Sequence, residues 1–171
     1  MKVLVVVDMQ NDFIDGALGS PDAVAIVAPL AKYIAEFDGI TVFTRDTHGK
    51  NYLETREGRR LPVPHCIEGE DGWQITDKIA IPEDSVIINK ETFGSLGLAE
   101  LLCQMDSAER IERIEFAGLC TDICVISNAF TVKAALPEAD IFVHSNLSAG
   151  VTKESHEVAL SAMRACQIDI I

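Results

Sequence analysis

The run VLVVVD, residues 3–8, decides the reading of the fold. Val3 to Val7 are apolar without a break, and Asp8 follows at once. A strand that is apolar on both faces belongs inside a parallel sheet covered by helices, whereas a half-exposed strand would alternate. The rest of the chain repeats the theme. Residues 40–43 (ITVF), 86–88, 114–117, 140–143 and 168–171 read as further short strands. Residues 22–37, 96–105, 122–136 and 152–164 read as helices between them. Pro29 either kinks the first of these or marks its start. Thr121-Asp122 are cap candidates for the third, which stops before Pro137, and Thr152 for the last. Residues 45–78 carry Gly, Pro and His and read as a long polar excursion.

Strands and helices therefore alternate. The expected fold is α/β, a three-layer sandwich with a six-stranded, mostly parallel sheet and helices on both faces. No repeat, linker or low-complexity tract divides the chain, so one domain over residues 1–171 is expected. Open sheets of this kind bind ligands at the carboxyl ends of their strands. Those ends carry Asp8, the segment from Arg45 to His48, Asn89-Lys90, and the turn from Gly118 to Cys124.

The chain has 171 residues, 48% hydrophobic and 24% charged, with a net charge of −13. A chain this long buries roughly 70% of its unfolded surface and needs no disulfide staples. So acidic a protein repels phosphate backbones and anionic lipid, which argues against nucleic-acid and membrane partners. No apolar run reaches membrane-spanning length, and 3–7 is too short for a signal peptide. A cytoplasmic protein is expected. Cys66, Cys103, Cys120, Cys124 and Cys166 are odd in number, which does not suit a disulfide framework.

Single residues read two ways. Asp8 could carry a proton from a half-buried position, or cap the MQNDF turn. Lys90 could pair with Asp8 and favour a thiolate, or sit solvated on the surface. Cys124, in GLCTDICV (118–125), falls in a first helical turn, where the dipole favours a thiolate and free N–H groups can receive an oxyanion. Cys120 competes as nucleophile, and the pair would also suit a redox or binding domain. Asp46 and His48, two apart, with His65 in PHC, read either as two solvated loop histidines and a capping Asp or as a one-carboxylate, two-imidazole metal set for Zn²⁺, Fe²⁺ or Mn²⁺. Glu57 or Glu54 could complete it. Phe13, Trp73 and Phe93 could each line a slot for a flat ring or pack in the core. His144 and His156 are assigned no role.

In order along the chain, VVVDMQNDF (5–13), RDTHG (45–49), PHCIEGEDG (64–72), NKETFGS (89–95) and GLCTDICV resemble the isochorismatase-like cysteine hydrolases. The chain is most similar to the nicotinamidase branch of that family. The resemblance implies an Asp8-Lys90-Cys124 triad, and a metal, zinc or alternatively iron or manganese, on Asp46, His48 and His65. It implies a cis peptide between Leu119 and Cys120, and an oxyanion hole from the backbone N–H groups of Cys120 and Cys124. Leu119, Ile123 and Phe13 would line the substrate site. The implied activity is hydrolysis of nicotinamide to nicotinate and ammonia through a thioester, by a homo-oligomer whose partner is a small amide. A carbamoyl or ureido compound, another small amide, or isochorismate are the alternative substrates. Thr47 stands where many nicotinamidases have an aromatic residue, and Ile123 where a Tyr is common.

Overall fold

The computed structural model describes residues 1–171. Its strands are β1 (Lys2–Val7), β2 (Ile40–Asp46), β3 (Val86–Lys90), β4 (Arg113–Leu119), β5 (Asp140–Ala149) and β6 (Asp169–Ile170). Its helices are α1 (Asn11–Ile14), α2 (Pro21–Glu36), α3 (Arg56–Arg60), α4 (Leu96–Ala108), α5 (Ile126–Ala135) and α6 (Lys153–Ala165). The six strands form one sheet in the order β3-β2-β1-β4-β5-β6. Every pairing is parallel, so the sheet is fully rather than mostly parallel. No helix is long and apolar enough to cross a membrane.

β1 explains the layering. Val3, Val5 and Val7 face a core shared with α4, α5 and α6, including Leu98, Leu102, Val132 and Leu160. Leu4 and Val6 face the other way, onto Ile26, Val27 and Leu30 of α2. All five are fully buried, as a strand apolar on both faces requires. From β1 the chain winds outward to β2 and β3, then restarts on the other side with β4. The strand order therefore reverses between β1 and β4, where open sheets leave a crevice at the carboxyl ends. Asp8 follows β1 there, at φ 47°. Gly118, one residue before the end of β4, has φ 119°, and a Cβ there would lie 2.2 Å from the Val7 carbonyl oxygen. Only glycine lets the two strand ends close this tightly.

Two helix expectations are corrected. α2 begins at Pro21, behind Ser20, whose hydroxyl accepts from the Ala23 N–H. Pro29 neither marks its start nor ends it. Its exposed position leaves the unpaired carbonyl one turn back on the solvent side. The helix expected from Asp122 is instead a π-helical turn, Thr121–Val125, followed by α5. Neither Thr121 nor Asp122 caps it. The Asp122 carboxylate accepts from the Val151 N–H at 3.0 Å. Thr152 does cap α6, in a reciprocal box with Ser155.

Candidate active site

Four strand ends meet at the crevice, as the sheet topology dictates. Asp8 is fully buried, and Lys90 and Cys124 are 4% exposed. Lys90 Nζ lies 2.7 Å from Asp8 Oδ2, 3.3 Å from Asp46 Oδ1 and 3.4 Å from Cys124 Sγ. Lys90 is thus not a solvated surface group, and Asp8 is not a simple turn cap. Thr44 on β2 donates its hydroxyl to Asp8 Oδ1 at 2.7 Å and fixes the carboxylate.

One ammonium serves two carboxylates here. Burial opposes the Lys90 charge, but Asp8, Cys124 and Asp46 outweigh it and hold the ammonium charged well above the ordinary lysine range. Burial pushes the Asp8 carboxyl up, and the nearby Asp46 adds to this against the pull of Lys90. Burial and the charge of Asp8 also raise the Cys124 thiol well above its usual value, with Lys90 opposing. Burial thus disfavours the charged forms of Cys124 and Asp8 alike, and the Lys90 ammonium works against it at both. The Lys90 ammonium, 3.4 Å from Sγ, is the cation placed to favour the thiolate. Burial lifts Cys120 as well, to about 12, without a comparable cation contact. The Leu119–Cys120 peptide is cis.

Next to Lys90, Asp46, His48, Glu57 and His65 place one ligand atom each within 4.8 Å of one another. His48 Nε2 is buried and makes no aligned hydrogen bond, although Asp46 Oδ2 is 2.9 Å away and Glu57 Oε1 3.6 Å. His65 Nε2 lies 3.7 Å from each of the same oxygens. An orphaned imidazole nitrogen among carboxylate oxygens fits a divalent cation of the zinc type. The fourth member is Glu57. Glu54 is outside the group, and its carbonyl accepts from the Arg59 side chain.

The polar excursion supplies the supports. Tyr52 is buried against the rings of His48 and His65 and donates its hydroxyl to the Leu61 carbonyl. A Cβ on Gly58 would lie 2.0 Å from the Tyr52 carbonyl oxygen, so only glycine lets α3 pack down and present Glu57. Gln10, fully buried, donates to the Asp46 and Trp73 carbonyls and accepts from the Asp46 N–H. Asp12 accepts from the Cys66 N–H at 2.7 Å and anchors the loop that carries His65. Asn128 donates to the Cys124 carbonyl at 2.8 Å and holds the nucleophile turn. Sequence reasoning placed Gln10 and Asp12 in a turn rich in cap formers and left Thr44 and Asn128 unremarked. Their polar atoms in otherwise apolar elements were the available signal.

A cavity of about 720 Å³ opens over this floor. Phe13, Phe93, Leu119, Ile123, Cys120 and Cys124 line it, and Asp46, Glu57 and His65 reach it from the metal side. Trp73 does not. Arg45 stacks on its ring at 3.5 Å, and its indole N–H donates to the Thr47 hydroxyl. His144 pairs with Glu115 away from the crevice, and His156 meets the Thr121 hydroxyl at 2.9 Å. All five cysteines are free.

The chain is 31% identical to an isochorismatase family protein of Bacillus subtilis, over 94% of this chain and 92% of that one. It is 24% identical to the nicotinamidase/pyrazinamidase of Mycobacterium tuberculosis, over 100% and 98%. The crystal structure of the pyrazinamidase of Pyrococcus horikoshii in complex with zinc superposes with a TM-score of 0.85 at 30% identity, covering 99% and 98%. The isochorismatase domain model matches residues 2–171, and the chain belongs to the isochorismatase family.

Proposed function

We propose that the protein is a nicotinamidase, hydrolysing nicotinamide to nicotinate and ammonia through a cysteine thioester. The observation that carries this is one cavity bounded by a buried Asp8-Lys90-Cys124 contact on one side and the Asp46, His48, Glu57, His65 group on the other. A thiol with an adjacent base suits acyl transfer, and a ligand group beside it suits a ring with a donor nitrogen. The names of the two relatives quoted above support the same substrate class.

In this mechanism Asp8 takes the proton of the Cys124 thiol, and Lys90 balances the charge that passes to sulfur. The thiolate attacks the amide carbon. The backbone N–H groups of Cys120 and Cys124 receive the oxygen of the tetrahedral intermediate. As that intermediate collapses, Asp8 returns its proton to the nitrogen, ammonia leaves and a thioester remains. Asp8 then accepts a proton from water, which attacks the thioester, releases the carboxylate and restores the thiol. Asp46, His48, His65 and Glu57 would hold a divalent ion, zinc by its mixed N/O donors, which orients the substrate through a ring nitrogen. Phe13, Leu119 and Ile123 would pack on the ring. The proposal carries with it a cytoplasmic enzyme assembled as a homo-oligomer, which light scattering on the purified protein tests.

The test is ammonia release from nicotinamide by the purified protein, before and after chelation. Turnover is expected to fall on chelation and return with Zn²⁺, Fe²⁺ or Mn²⁺. Cys124→Ala is expected to lower it by about 10⁴-fold or more, as for other nucleophile removals. Turnover by Cys124→Ala at the wild-type rate would sink the mechanism.

A further inference from the structure

The cavity is larger than its floor needs. Cavities of roughly 300–1,000 Å³ hold drug-sized ligands, and a single-ring amide fills only part of 720 Å³. The unused part is bounded by α3. Three residues of that helix line the cavity, namely Arg56, Glu57 and Arg60. On a helix these positions fall within one arc of about 100°, because residues four apart nearly eclipse. Glu57 is spent on the imidazoles of His48 and His65. Arg56 and Arg60 have no carboxylate within 4 Å and no hydrogen bond to the protein, whereas Arg59 on the far side bonds back to the Glu54 carbonyl.

Arg56 and Arg60 are exposed and are the two Lys or Arg side chains that line the catalytic cavity, in a chain with 27 acidic residues against 14 Lys and Arg. Of the fourteen Lys and Arg, only Lys32, Lys78, Lys90 and Arg113 have a carboxylate within 4 Å, so what sets Arg56 and Arg60 apart is their place in the cavity lining. The scissile amide must lie at Cys124 and the ring beside the metal group. A substituent on the ring then projects toward α3. Paired guanidiniums four residues apart match a planar carboxylate, which accepts two N–H bonds from one fork.

We propose that Arg56 and Arg60 are specificity determinants, and that the preferred substrate is a ring amide carrying a second, anionic carboxylate away from the scissile bond. This rests on the ring-amide hydrolase reading above and narrows its substrate class. The neutral nicotinamide is then a minimal substrate that leaves the arginine subsite empty. The other charged carboxyl groups of the lining, Asp46 and Glu57, repel a carboxylate, so the α3 arginines are where the cavity receives one.

The experiment compares three amides on the metal-loaded enzyme. They are nicotinamide, the monoamide of pyridine-3,5-dicarboxylic acid, which is anionic, and the corresponding diamide, which has nearly the same shape and no charge. The expected kcat/KM for the monoamide exceeds that for the diamide by about tenfold at low salt, the gain of a charge-assisted hydrogen bond at a partly exposed site. The advantage should shrink as ionic strength rises. In Arg56→Gln/Arg60→Gln the ratio should fall to about one, and Arg56→Lys/Arg60→Lys should restore part of it. Circular dichroism checks that the glutamine variant keeps its fold, and the lysine pair keeps the test open if it does not. A ratio at or below one in the wild type overturns the inference while nicotinamide turnover leaves the ring-amide reading standing. A ratio unchanged in the glutamine variant also overturns it. Turnover of none of the three overturns the ring-amide reading itself, and this inference with it.

Discussion

Glu115, in the first half of β4, is 3% exposed and fully served. Tyr33 donates its hydroxyl at 2.6 Å, Arg113 Nε lies at 2.5 Å, and His144 Nε2 lies at 2.5 Å. Asp8, at the end of the neighbouring strand, is equally buried and differently treated. Its Oδ2 has the Lys90 ammonium at 2.7 Å but no aligned hydrogen bond, and Lys90 is shared with Asp46 and Cys124. His48 Nε2 nearby is orphaned too. Both clusters bury charge in one sheet. The first saturates its carboxylate and opens onto nothing reactive. The second leaves polar atoms short of partners beneath a cavity. Buried charge therefore does not mark a working site, but buried charge held short of its partners does. The carboxylates respond accordingly. Burial raises both, but at Glu115 the hydrogen bonds win and the carboxyl ends below its ordinary range, while Asp8 ends above it.

The comparison breaks hardest at Lys90. Lys90→Met removes the only cation within 4 Å of Asp8 and leaves Asp8 and Asp46 buried together. Breaking a buried pair from one side costs about 3–5 kcal/mol. Urea unfolding should show a loss of that size, and ammonia release should fall by at least about 10²-fold as the charge passed to sulfur loses its counterion. A protein with wild-type stability would mean that the cluster is wetter than its burial states.

Gln10 sharpens the contrast at smaller scale. It touches no reacting atom, yet its amide brackets the Asp46 backbone from both sides. Gln10→Ala should leave the triad in place and weaken metal retention by about 10–100-fold, the usual cost of losing a supporting contact behind a ligand. Competition against a zinc-binding dye gives the number. Unchanged affinity would show that Lys90 and the β2–β3 pairing hold Asp46 without Gln10.

The legibility of the sequence divides along the same line. β1 was plain because Val3 to Val7 are apolar on both faces, and the rest of the sheet followed from alternation. Strand lengths were not plain. β2 continues through Thr44, Arg45 and Asp46 because pairing with β3 carries it past its hydrophobic run, and β5 extends past an irregularity after Val143 to pair again with β4 at Ser148 and Ala149. The π-helical turn at Thr121–Val125 was invisible, since its bonding has no residue signature. Asp8 and Lys90 were legible as charged residues at the ends of apolar runs, and Cys124 as a cysteine in the turn after β4. Glu57, Arg56 and Arg60 were not separable from other charges. They lie on REGRR, five residues in a polar stretch too short to show a helical period.

The mildest test is at Glu115, where the saturated cluster should prove structural only. Glu115→Gln keeps the shape but gives Tyr33, Arg113 and His144 a neutral partner, at a cost of about 1–2 kcal/mol near neutral pH. Arg113 is partly exposed, which keeps the figure at the low end. Because the folded state holds this carboxyl below its unfolded value, its contribution to stability is fully present above the unfolded carboxylate pKa of about 4.3. That contribution is lost as pH falls through the folded value. The gap in unfolding free energy between wild type and Glu115→Gln should therefore be flat from neutral pH down to about 5 and close below about 4. Turnover at pH 7 should stay within about twofold of wild type, since the cluster lies more than a turn of strand from Leu119 and touches no residue lining the cavity. A gap that widened in acid would reverse the sign assigned to Glu115. A tenfold loss of turnover would show that the two clusters are coupled along β4, and that saturation alone does not make a buried charge inert.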